Sequence, residues 1–462
     1  MMRPVLRSLS ILLALAACWS LPSIGATVPG GTPLPKLVLV VLVDGLPQEQ
    51  LTRNHDLLGP NGLRRLMDRG AWFSDAHQAH AFTVTAVGHA SVFTGAHPYQ
   101  TGIIGNEWRT RDGKQVYNTA DPAHRYLDGT EAGQGDGVSP KNLQASTLGD
   151  ELRYATNHAS RVFAVAGKDR GAILPAGKTG TAYMYSSKTG RFTSTSYYMT
   201  AHPAWWERYY AGNPQHQWFH KRWDPLLDAD AYRRSLPDGQ PWSTSYRKLG
   251  TRMGLVYGLG ESAPGPLYYG TLLAGPYGDE ATAEFAMEVI RHEQLGRNPA
   301  GAPDLFAVSF SSHDYVNHSF GPESVQSQDH LIRLDRTLAR FFDAIDATVG
   351  AGNVLIVLTA DHGENMTEHG FYWCHQGTYE EVIAVPLIVW APDAEQAFPT
   401  GFGVDGLLFT ADDPTAPIPA GYNLVNLDQE PFAVTKEVRA EITLNEGVIA
   451  VNDYTADDYG TA

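Results

Sequence analysis

Two residues of different chemistry stand four positions apart in the stretch SSHDYVNHSFG, namely Asp314 and His318. On a helix this spacing places both side chains on one face. A carboxylate and an imidazole in that arrangement are suitable ligands for a divalent metal ion. The same pair also occurs in solvated turns, so a metal site requires further ligands from other parts of the chain.

Comparable polar residues stand just after other apolar runs. They are Asp44 after Leu37–Val43, Asp361 and His362 after Val354–Thr359, and Lys168 with Arg170 after Val162–Ala166. In open α/β sheets, ligands bind outside the carboxyl ends of the strands. A single Asp at such a position is commonly a helix cap, but four strands with polar endings predict one shared site. Oxygen and nitrogen ligands without thiolates favour a pair of catalytic Zn²⁺ ions, with Mn²⁺ or Fe as alternatives.

Thr85 is the candidate nucleophile beside these residues. It precedes a short helical pattern that ends at Gly95. A hydroxyl at a helix N-terminus faces unpaired N–H groups and the positive end of the helix dipole. Both stabilise an alkoxide, and a bound metal does so more strongly. The alternative is that Thr85 only caps its helix.

The elements that must position these side chains alternate between strand and helix. Leu305–Phe310 and Val385–Trp390 are further apolar runs that predict strands, and apolar stripes predict helices within residues 324–346 and 280–296, the second ending at Gly296. This alternation predicts an α/β fold, doubly wound, with a mostly parallel central sheet flanked by helices. Residues 176–275, rich in Tyr, Trp, Gly and Pro, predict a cap or insert over the sheet edge.

Length and charge narrow the class of protein. The chain has 462 residues, with 34 Lys plus Arg against 50 Asp plus Glu, and a net charge of −16. A long acidic chain without basic runs is a poor candidate for specific nucleic-acid binding. We predict a catalytic domain over residues 27–400 and assign no structure to the C-terminal segment 401–462. The sequence does not predict an oligomeric state.

The first 26 residues predict a signal peptide. An apolar stretch, Leu9–Ala17, follows two arginines, and small residues precede Ala26 as a cleavage site. The stretch is too short to span a bilayer. LAAC, ending at Cys18, also resembles a bacterial lipobox, so Cys18 is an alternative lipid anchor. We predict export to the bacterial periplasm, with a lipoprotein or a secreted protein as alternatives, and no later transmembrane segment.

Five segments together resemble one family. They are VLVDG, TAVGHASVFTG followed by GIIGN, GKDRGAILPAG, SFSSHDYVNHSFGP and TADHG, and the match extends over residues 36–363. The set resembles the alkaline phosphatase superfamily, nearest its threonine-nucleophile bacterial phosphate monoesterases. Type I phosphodiesterases and nucleotide pyrophosphatases are related to these enzymes.

The resemblance implies a role for each matching residue. Thr85 matches the nucleophile, and Asn106 matches a residue that donates to a phosphoryl oxygen. Lys168 and Arg170 match the pair that marks the monoesterase branch. The implied metal ligands are Asp44, Asp361 and His362, with Thr85, for the ion that activates the nucleophile, and Asp314 with His318 for the ion that faces the leaving group.

A third protein ligand is expected beside Asp314 and His318. We predict His375, because the family's third histidine stands at a similar distance before a similar VP strand. The chain departs from the family here, since only ENMTEHGFYWC separates TADHG from this histidine. The C-terminal tail resembles the segment that the family usually has at that place. His369 is the alternative ligand, and His313 is a weaker one because it adjoins Asp314.

The resemblance implies a metal-dependent alkaline phosphatase that hydrolyses small phosphate monoesters through a phospho-threonine intermediate at a two-zinc site. Lys168 and Arg170 fit a dianionic monoester better than a singly charged diester. A type I phosphodiesterase is the first alternative. A sulfatase-like hydrolase would need a Cys or Ser converted to formylglycine where Thr85 stands. A metal-binding ectodomain without activity is the remaining alternative.

Overall fold

The computed structural model of the chain describes residues 34–391, apart from positions 74, 134, 244–250 and 367–374. The predicted signal peptide, Cys18, His369 and the segment 401–462 lie outside the described residues. Within the described part, no helix combines the length and the apolar character that crossing a membrane requires.

Twelve strands are present in the described ranges. They are β1 (Leu37–Val43), β2 (Ala71–Phe73), β3 (Glu107–Arg109), β4 (Gln115–Tyr117), β5 (Val162–Ala166), β6 (Thr181–Ser186), β7 (Arg191–Thr193), β8 (Arg222–Trp223), β9 (Leu255–Val256), β10 (Asp304–Phe310), β11 (Val354–Thr359) and β12 (Leu387–Trp390). Eight of them form one sheet in the order β2-β12-β11-β1-β10-β5-β6-β7, while β3–β4 and β8–β9 form separate pairs. The five strands from β11 to β6 are parallel, and β12 and β7 are antiparallel to their inner neighbours.

Helices cover both faces of this sheet. They are α1 (Gln48–Asn54), α2 (Leu63–Arg69), α3 (Thr85–Thr94), α4 (Pro98–Thr101), α5 (Leu148–Ala155), α6 (Asp169–Ala176), α7 (Ala204–Ala211), α8 (Pro266–Leu272), α9 (Pro276–Glu293), α10 (Ser312–Phe320), α11 (Val325–Val349) and α12 (Glu380–Ile383). Short 3₁₀ turns lie at His55–Leu57, Pro214–His216, Ala229–Tyr232 and Ala351–Asn353.

The central strand β1 shows why the sheet must be covered on both sides. Leu39 and Val41 belong to one buried apolar cluster, which also contains side chains of α9 and α11. Val40 and Leu42 point the other way, into a second buried cluster with side chains of α3 and α6. Successive residues of a strand face opposite sides, so a run of Val and Leu without polar alternation buries both faces. This arrangement confirms the predicted doubly wound α/β fold.

The structure refines several boundaries. The last predicted strand begins at Leu387 rather than Val385, and it pairs antiparallel with β11. Helix α9 ends at Glu293, ahead of Gly296, because Gln294 already adopts a left-handed φ of 53°. The predicted cap region begins inside the sheet, since β6 and β7 are two of its strands. A cap role for the rest of residues 176–275 stays a prediction.

Candidate active site

Four strands deliver polar side chains to one edge of the sheet. Asp44 follows β1, Lys168 follows β5, Asp314 lies in α10 just after β10, and Asp361 follows β11. The parallel pairing of these strands brings their carboxyl ends together. The backbone N–H of Asp44 donates to the carbonyl of Phe310 at 3.0 Å, which continues the β1–β10 pairing into the site.

Gly45 makes this convergence possible. Its φ is +67°, and a Cβ at this position would lie 3.1 Å from both the Asp314 Cβ and the Glu364 Oε1. A side chain would therefore be strained and would also crowd two site residues. Its backbone N–H donates to Asp361 Oδ1 at 3.2 Å, so the turn after Asp44 fixes a second carboxylate.

Thr85 is the first residue of α3 and is 1% exposed. Its Oγ1 lies 3.2 Å from the Nζ of Lys168. The carboxamide oxygen of Asn106 accepts the N–H of Ala86 at 3.0 Å, which leaves the Asn106 nitrogen as the donor end of its amide. The structure thus places Thr85, Lys168 and Asn106 together at the N-terminus of one helix, where negative charge is favoured.

The buried ammonium of Lys168 is shared between two carboxylates. Its Nζ lies 2.8 Å from Asp44 Oδ2 and 2.6 Å from Asp314 Oδ2. Burial alone would lower the pKa of Lys168, but attraction to Asp314 and Asp44 raises it above the ordinary lysine value. Lys168 is therefore charged at physiological pH. Burial, followed by repulsion from Asp361, raises the pKa of Asp44 to about 6.

The ligand atoms form two overlapping groups within the described residues. In each group they lie within 4.8 Å of one another, and the groups are Asp314, His318, Glu364 and His375, and Asp44, Asp314 and His362. Asp314 belongs to both. Its Oδ1 lies 3.3 Å from His318 Nε2 and 3.9 Å from His375 Nε2. In the second group, His362 Nε2 lies 3.5 Å from Asp44 Oδ1.

Buried polar atoms without hydrogen-bond partners indicate whether these two groups fit metal ions. Asp44 Oδ1, His362 Nε2 and Glu364 Oε1 are buried and have no hydrogen-bond partner among the described residues. Buried polar atoms are normally paired, and here they converge with other carboxylate and imidazole groups. Four buried acidic side chains, those of Asp44, Asp314, Asp361 and Glu364, interact with the buried ammonium of Lys168. The donor set and its excess negative charge therefore fit divalent metal ions.

His375 lies where a further ligand is needed. Its Nδ1 contacts the carbonyl oxygen of Thr83 at 2.5 Å, and the Thr83 hydroxyl donates to the His375 carbonyl. The first contact makes Nδ1 the N–H donor and leaves Nε2 as a lone-pair ligand. Burial, together with His362 nearby, lowers the pKa of His375 well below its ordinary value, so the ring is neutral.

His313 is not part of either group. Its Nε2 contacts Gln50 Oε1 at 2.6 Å, and its Nδ1 lies 3.1 Å from Nδ1 of His330. His330 Nε2 lies 3.3 Å from Asp279 Oδ2. All four side chains are buried, and their contacts connect α10 with α1, α9 and α11, so His313 helps to anchor that helix.

Asp361 was expected to share one ion with Asp44 and His362, but it does not belong to the ligand group that contains them. Its Oδ2 lies 3.1 Å from His89 Nδ1 and 3.7 Å from His362 Nε2. Burial would raise the pKa of Asp361, but His362 and His89 lower it below the ordinary value. His89 itself is buried, and its Nε2 contacts Ser309 Oγ at 2.9 Å.

Arg170 lies in the first turn of α6, two residues after Lys168. Its Nη1 is 3.2 Å from the Tyr117 hydroxyl and 3.8 Å from Asp169 Oδ1, and its side chain is 18% exposed. Tyr117 in turn donates to Asp169 at 2.7 Å. These contacts hold the guanidinium near the nucleophile's helix and leave it accessible to an anion.

Sequence reasoning missed Glu364 and His89. Glu364 is 1% exposed and stands two residues after His362, so its position in DHGE was the available signal. Burial, and then the nearby Asp314 carboxylate, raise the pKa of Glu364 well above its ordinary value. His89 lies four residues after Thr85, one turn along the same helix.

The chain matches one family model and is similar to known alkaline phosphatases. The family model described as type I phosphodiesterase / nucleotide pyrophosphatase matches residues 38–383. Alkaline phosphatase PhoV of Synechococcus elongatus is 38% identical over 331 residues, which are 71% of this chain and 59% of PhoV. Alkaline phosphatase PafA of Elizabethkingia meningoseptica is 35% identical over 343 residues, which are 74% of this chain and 62% of PafA.

A crystal structure of wild-type alkaline phosphatase PafA has the same fold. It matches with a TM-score of 0.67 and 34% identity, over 74% of this chain and 66% of that chain. The chain spans about three fifths of the length of the two curated relatives it matches.

Proposed function

Because the chain belongs to the type I phosphodiesterase / nucleotide pyrophosphatase family, we propose that it is a metal-dependent alkaline phosphatase that hydrolyses small phosphate monoesters. This membership confirms the resemblance to the alkaline phosphatase superfamily. The observation that carries the proposal is the buried ammonium of Lys168, 3.2 Å from Thr85 Oγ1 and in contact with two carboxylates of the ligand groups.

Thr85 is the proposed nucleophile. Its Oγ1 gives its proton to solvent and forms a bond to phosphorus while the bond between phosphorus and the leaving oxygen breaks. The departing alkoxide takes a proton from solvent and leaves as the alcohol. The Lys168 ammonium and the helix N-terminus stabilise the negative charge on Oγ1. Water then cleaves the phospho-threonine and releases inorganic phosphate, which regenerates the hydroxyl.

Asn106, Lys168 and Arg170 bind and orient the phosphoryl group in this proposal. The Asn106 amide nitrogen and the Arg170 guanidinium donate to non-bridging oxygens, and Lys168 contributes a point charge. A monoester dianion matches two cations better than a diester, which has one charge less. The fixed partners of Arg170 and Asn106 reduce the entropy lost when the substrate is positioned.

Two Zn²⁺ ions are the proposed cofactors. The residues that would hold them are Asp44, Asp361, His362 and Thr85 for one ion, and Asp314, His318 and His375 for the other. Bound there, divalent ions would supply Lewis acidity towards the attacking and leaving oxygens. Although burial opposes it, the Lys168 ammonium holds the pKa of Asp314 well below its ordinary value. The ionised Asp314 and the neutral His375 ring are thus in the protonation states that ligands require.

One rate comparison tests the proposal. The metal-loaded protein is assayed with an aryl phosphate, a bis-aryl phosphate and an aryl sulfate. We expect the highest kcat/KM for the aryl phosphate. A preference for the bis-aryl phosphate would support a phosphodiesterase, which is the second candidate because the matching family model is described by that activity. A preference for the sulfate would support a sulfatase-like hydrolase, and no turnover would support an inactive ectodomain.

Our proposals for targeting and domain organisation rest on the sequence alone. They are a signal peptide over residues 1–26, export to the bacterial periplasm, and a catalytic domain over residues 27–400 with a cap within 176–275. Cys18 as a lipid anchor is the alternative to cleavage after Ala26. Mass determination of the mature protein separates these two outcomes.

A further inference from the structure

We infer that Glu364 is a fourth protein ligand of the metal ion held by Asp314, His318 and His375. This inference rests on the proposed two-metal function and adds a residue that neither the motif resemblance nor the comparisons assign. The four side chains bring one ligand atom each to within 4.8 Å of one another. A single cation between them is therefore within reach of all four.

The polar side chain that the Glu364 carboxyl group contacts is another acid, Asp314, which does not supply a positive charge. Its side chain is 1% exposed, and its Oε1 lacks a hydrogen-bond partner among the described residues. The buried ammonium of Lys168 contacts Asp44 and Asp314. Two acidic side chains buried against each other, with one carboxyl oxygen unsatisfied, are costly without a compensating cation, so the position of Glu364 indicates a positive charge that the described side chains do not supply.

The backbone holds Glu364 in this place. Gly363 N donates to the Val382 carbonyl at 2.8 Å, and Glu364 N donates to the Glu381 carbonyl at 3.2 Å. A Cβ on Gly363 would lie 2.0 Å from the Glu381 carbonyl oxygen, so this segment packs against α12 too closely for a side chain there. The carboxyl group of Glu364 is thus fixed toward Gly45 and Asp314 rather than free to turn into solvent.

A second carboxylate changes the properties of this ion. Two carboxylates neutralise a divalent cation, and two imidazoles complete an N₂O₂ set that suits Zn²⁺ and related first-row metals. We therefore expect this ion to be retained more tightly than one held by three ligands, and its first shell to contain one more protein oxygen.

The test uses Glu364→Gln, which keeps the size of the side chain and removes its charge. Glu381→Gln is the matched control, because Glu381 is a nearby buried carboxylate that accepts Met366 N at 3.3 Å and lies outside both ligand groups. Metal-free proteins are titrated with Co²⁺ against a competing chelator, and bound ions are counted by elemental analysis. Visible absorption of bound Co²⁺ reports its coordination.

We expect Glu364→Gln to weaken one of the two ions by about tenfold or more and to change its Co²⁺ spectrum. Glu381→Gln should match the unsubstituted protein in both. Equal affinity and an unchanged spectrum in Glu364→Gln would overturn the inference. If that variant does not fold, a structure of the zinc-loaded unsubstituted protein tests the inference instead. The inference requires a Glu364 carboxylate oxygen bound to the ion, and a structure without that bond would overturn it. Failure of the unsubstituted protein to bind two ions would instead count against the proposed function.

Discussion

The ammonium nitrogen of Lys168 lies 3.2 Å from the hydroxyl oxygen of Thr85, with both side chains buried. A cation at this distance stabilises an alkoxide on Thr85 and also attracts the phosphoryl group that the alkoxide attacks. The same nitrogen contacts Asp44 and Asp314, so the nucleophile, both ligand groups and the cation form one unit. Changes in any of them should therefore act on the same reaction.

We predict that Thr85→Ala abolishes the covalent intermediate. The rate should fall by about a thousandfold or more, because the two-displacement route has lost its nucleophile. Labelled phosphate should no longer be trapped on the denatured protein, while two metal ions per chain are retained.

Thr83→Ser is the control for this experiment. It keeps the hydroxyl that bonds the His375 carbonyl, so it should leave the trapped phosphate on Thr85. Mapping of the label to Thr83 in the unsubstituted protein would reject Thr85 as the nucleophile.

Substitution of the two cations should distinguish monoester from diester hydrolysis. Loss of a charge-assisted contact costs about 1.5–3 kcal/mol, or roughly ten- to a hundredfold in rate. We expect Lys168→Ala and Arg170→Ala to lower kcat/KM for an aryl phosphate by such factors and to affect a bis-aryl phosphate much less. Equal losses on both substrates would favour the phosphodiesterase alternative.

Metal removal should lower both activity and stability. Chelation leaves four buried carboxylates around one ammonium, so repulsion opposes the folded state. For each site, zinc at a hundred times its Kd adds about 2.7 kcal/mol to the free energy of unfolding. Thermal unfolding and elemental analysis, each with and without chelator, measure this loss of stability and of bound metal.

We also expect the phosphatase activity to have an alkaline pH optimum, because the Thr85 hydroxyl and the hydrolytic water must each lose a proton.

The central strands and most of the site followed from the sequence because their signals are local. β1, β5 and β11 match the predicted runs residue for residue. Asp44, Lys168, Asp314 and Asp361 meet as expected, since the carboxyl ends of parallel strands share an edge. β6 was not predicted, because TAYMYS mixes polar and apolar residues although four of its six positions are buried.

Glu364 and the direction of β12 depend on tertiary contacts that no local pattern encodes. The carboxyl of Glu364 enters the site only because its segment packs against α12. Likewise, the antiparallel pairing of β12 with β11 is a tertiary contact that the apolar run itself does not predict. The position of His375 also depends on its contacts with Thr83, which is 292 residues earlier in the chain.

His202 should make stability fall in acid independently of the metal site. Burial lowers its pKa to about 4 from an ordinary value of 6.5, and its Nε2 accepts the N–H of Ser194 at 3.2 Å, which requires a neutral ring. The unfolded chain therefore takes up the proton first as pH falls. The contribution of the neutral His202 ring to the free energy of unfolding is therefore present above about pH 6.5 and is lost progressively toward about pH 4.

Urea unfolding of metal-free protein at about pH 7.5 and about pH 5 measures this loss. The free energy of unfolding should fall between these two pH values by about 1 kcal/mol less in His202→Gln than in the unsubstituted protein. We keep this figure small because the ring is partly exposed. The glutamine oxygen can still accept the Ser194 N–H. Identical pH dependence in the two proteins would show that His202 is not the group responsible.

The assignment of His375 as a ligand is tested by its loss. Its Nε2 lies 3.9 Å from Asp314 Oδ1, and its ring stacks on His362 with centroids 3.9 Å apart. His375→Ala removes the imidazole but leaves the Thr83 hydroxyl bonded to the backbone of residue 375. We expect this variant to bind one metal ion instead of two and to lose most of its phosphatase activity, because the ion facing the leaving group has lost an imidazole ligand.

Substitutions of His369 and His313 are the controls for His375→Ala. His369→Ala should retain both ions and most activity. His313→Gln should also retain both ions, because His313 contacts Gln50 and His330 rather than the ligand groups. Elemental analysis after gel filtration, together with aryl phosphate turnover, compares the three variants. Two ions retained in His375→Ala, or one ion lost in His369→Ala, would reject His375 in favour of the alternative ligand.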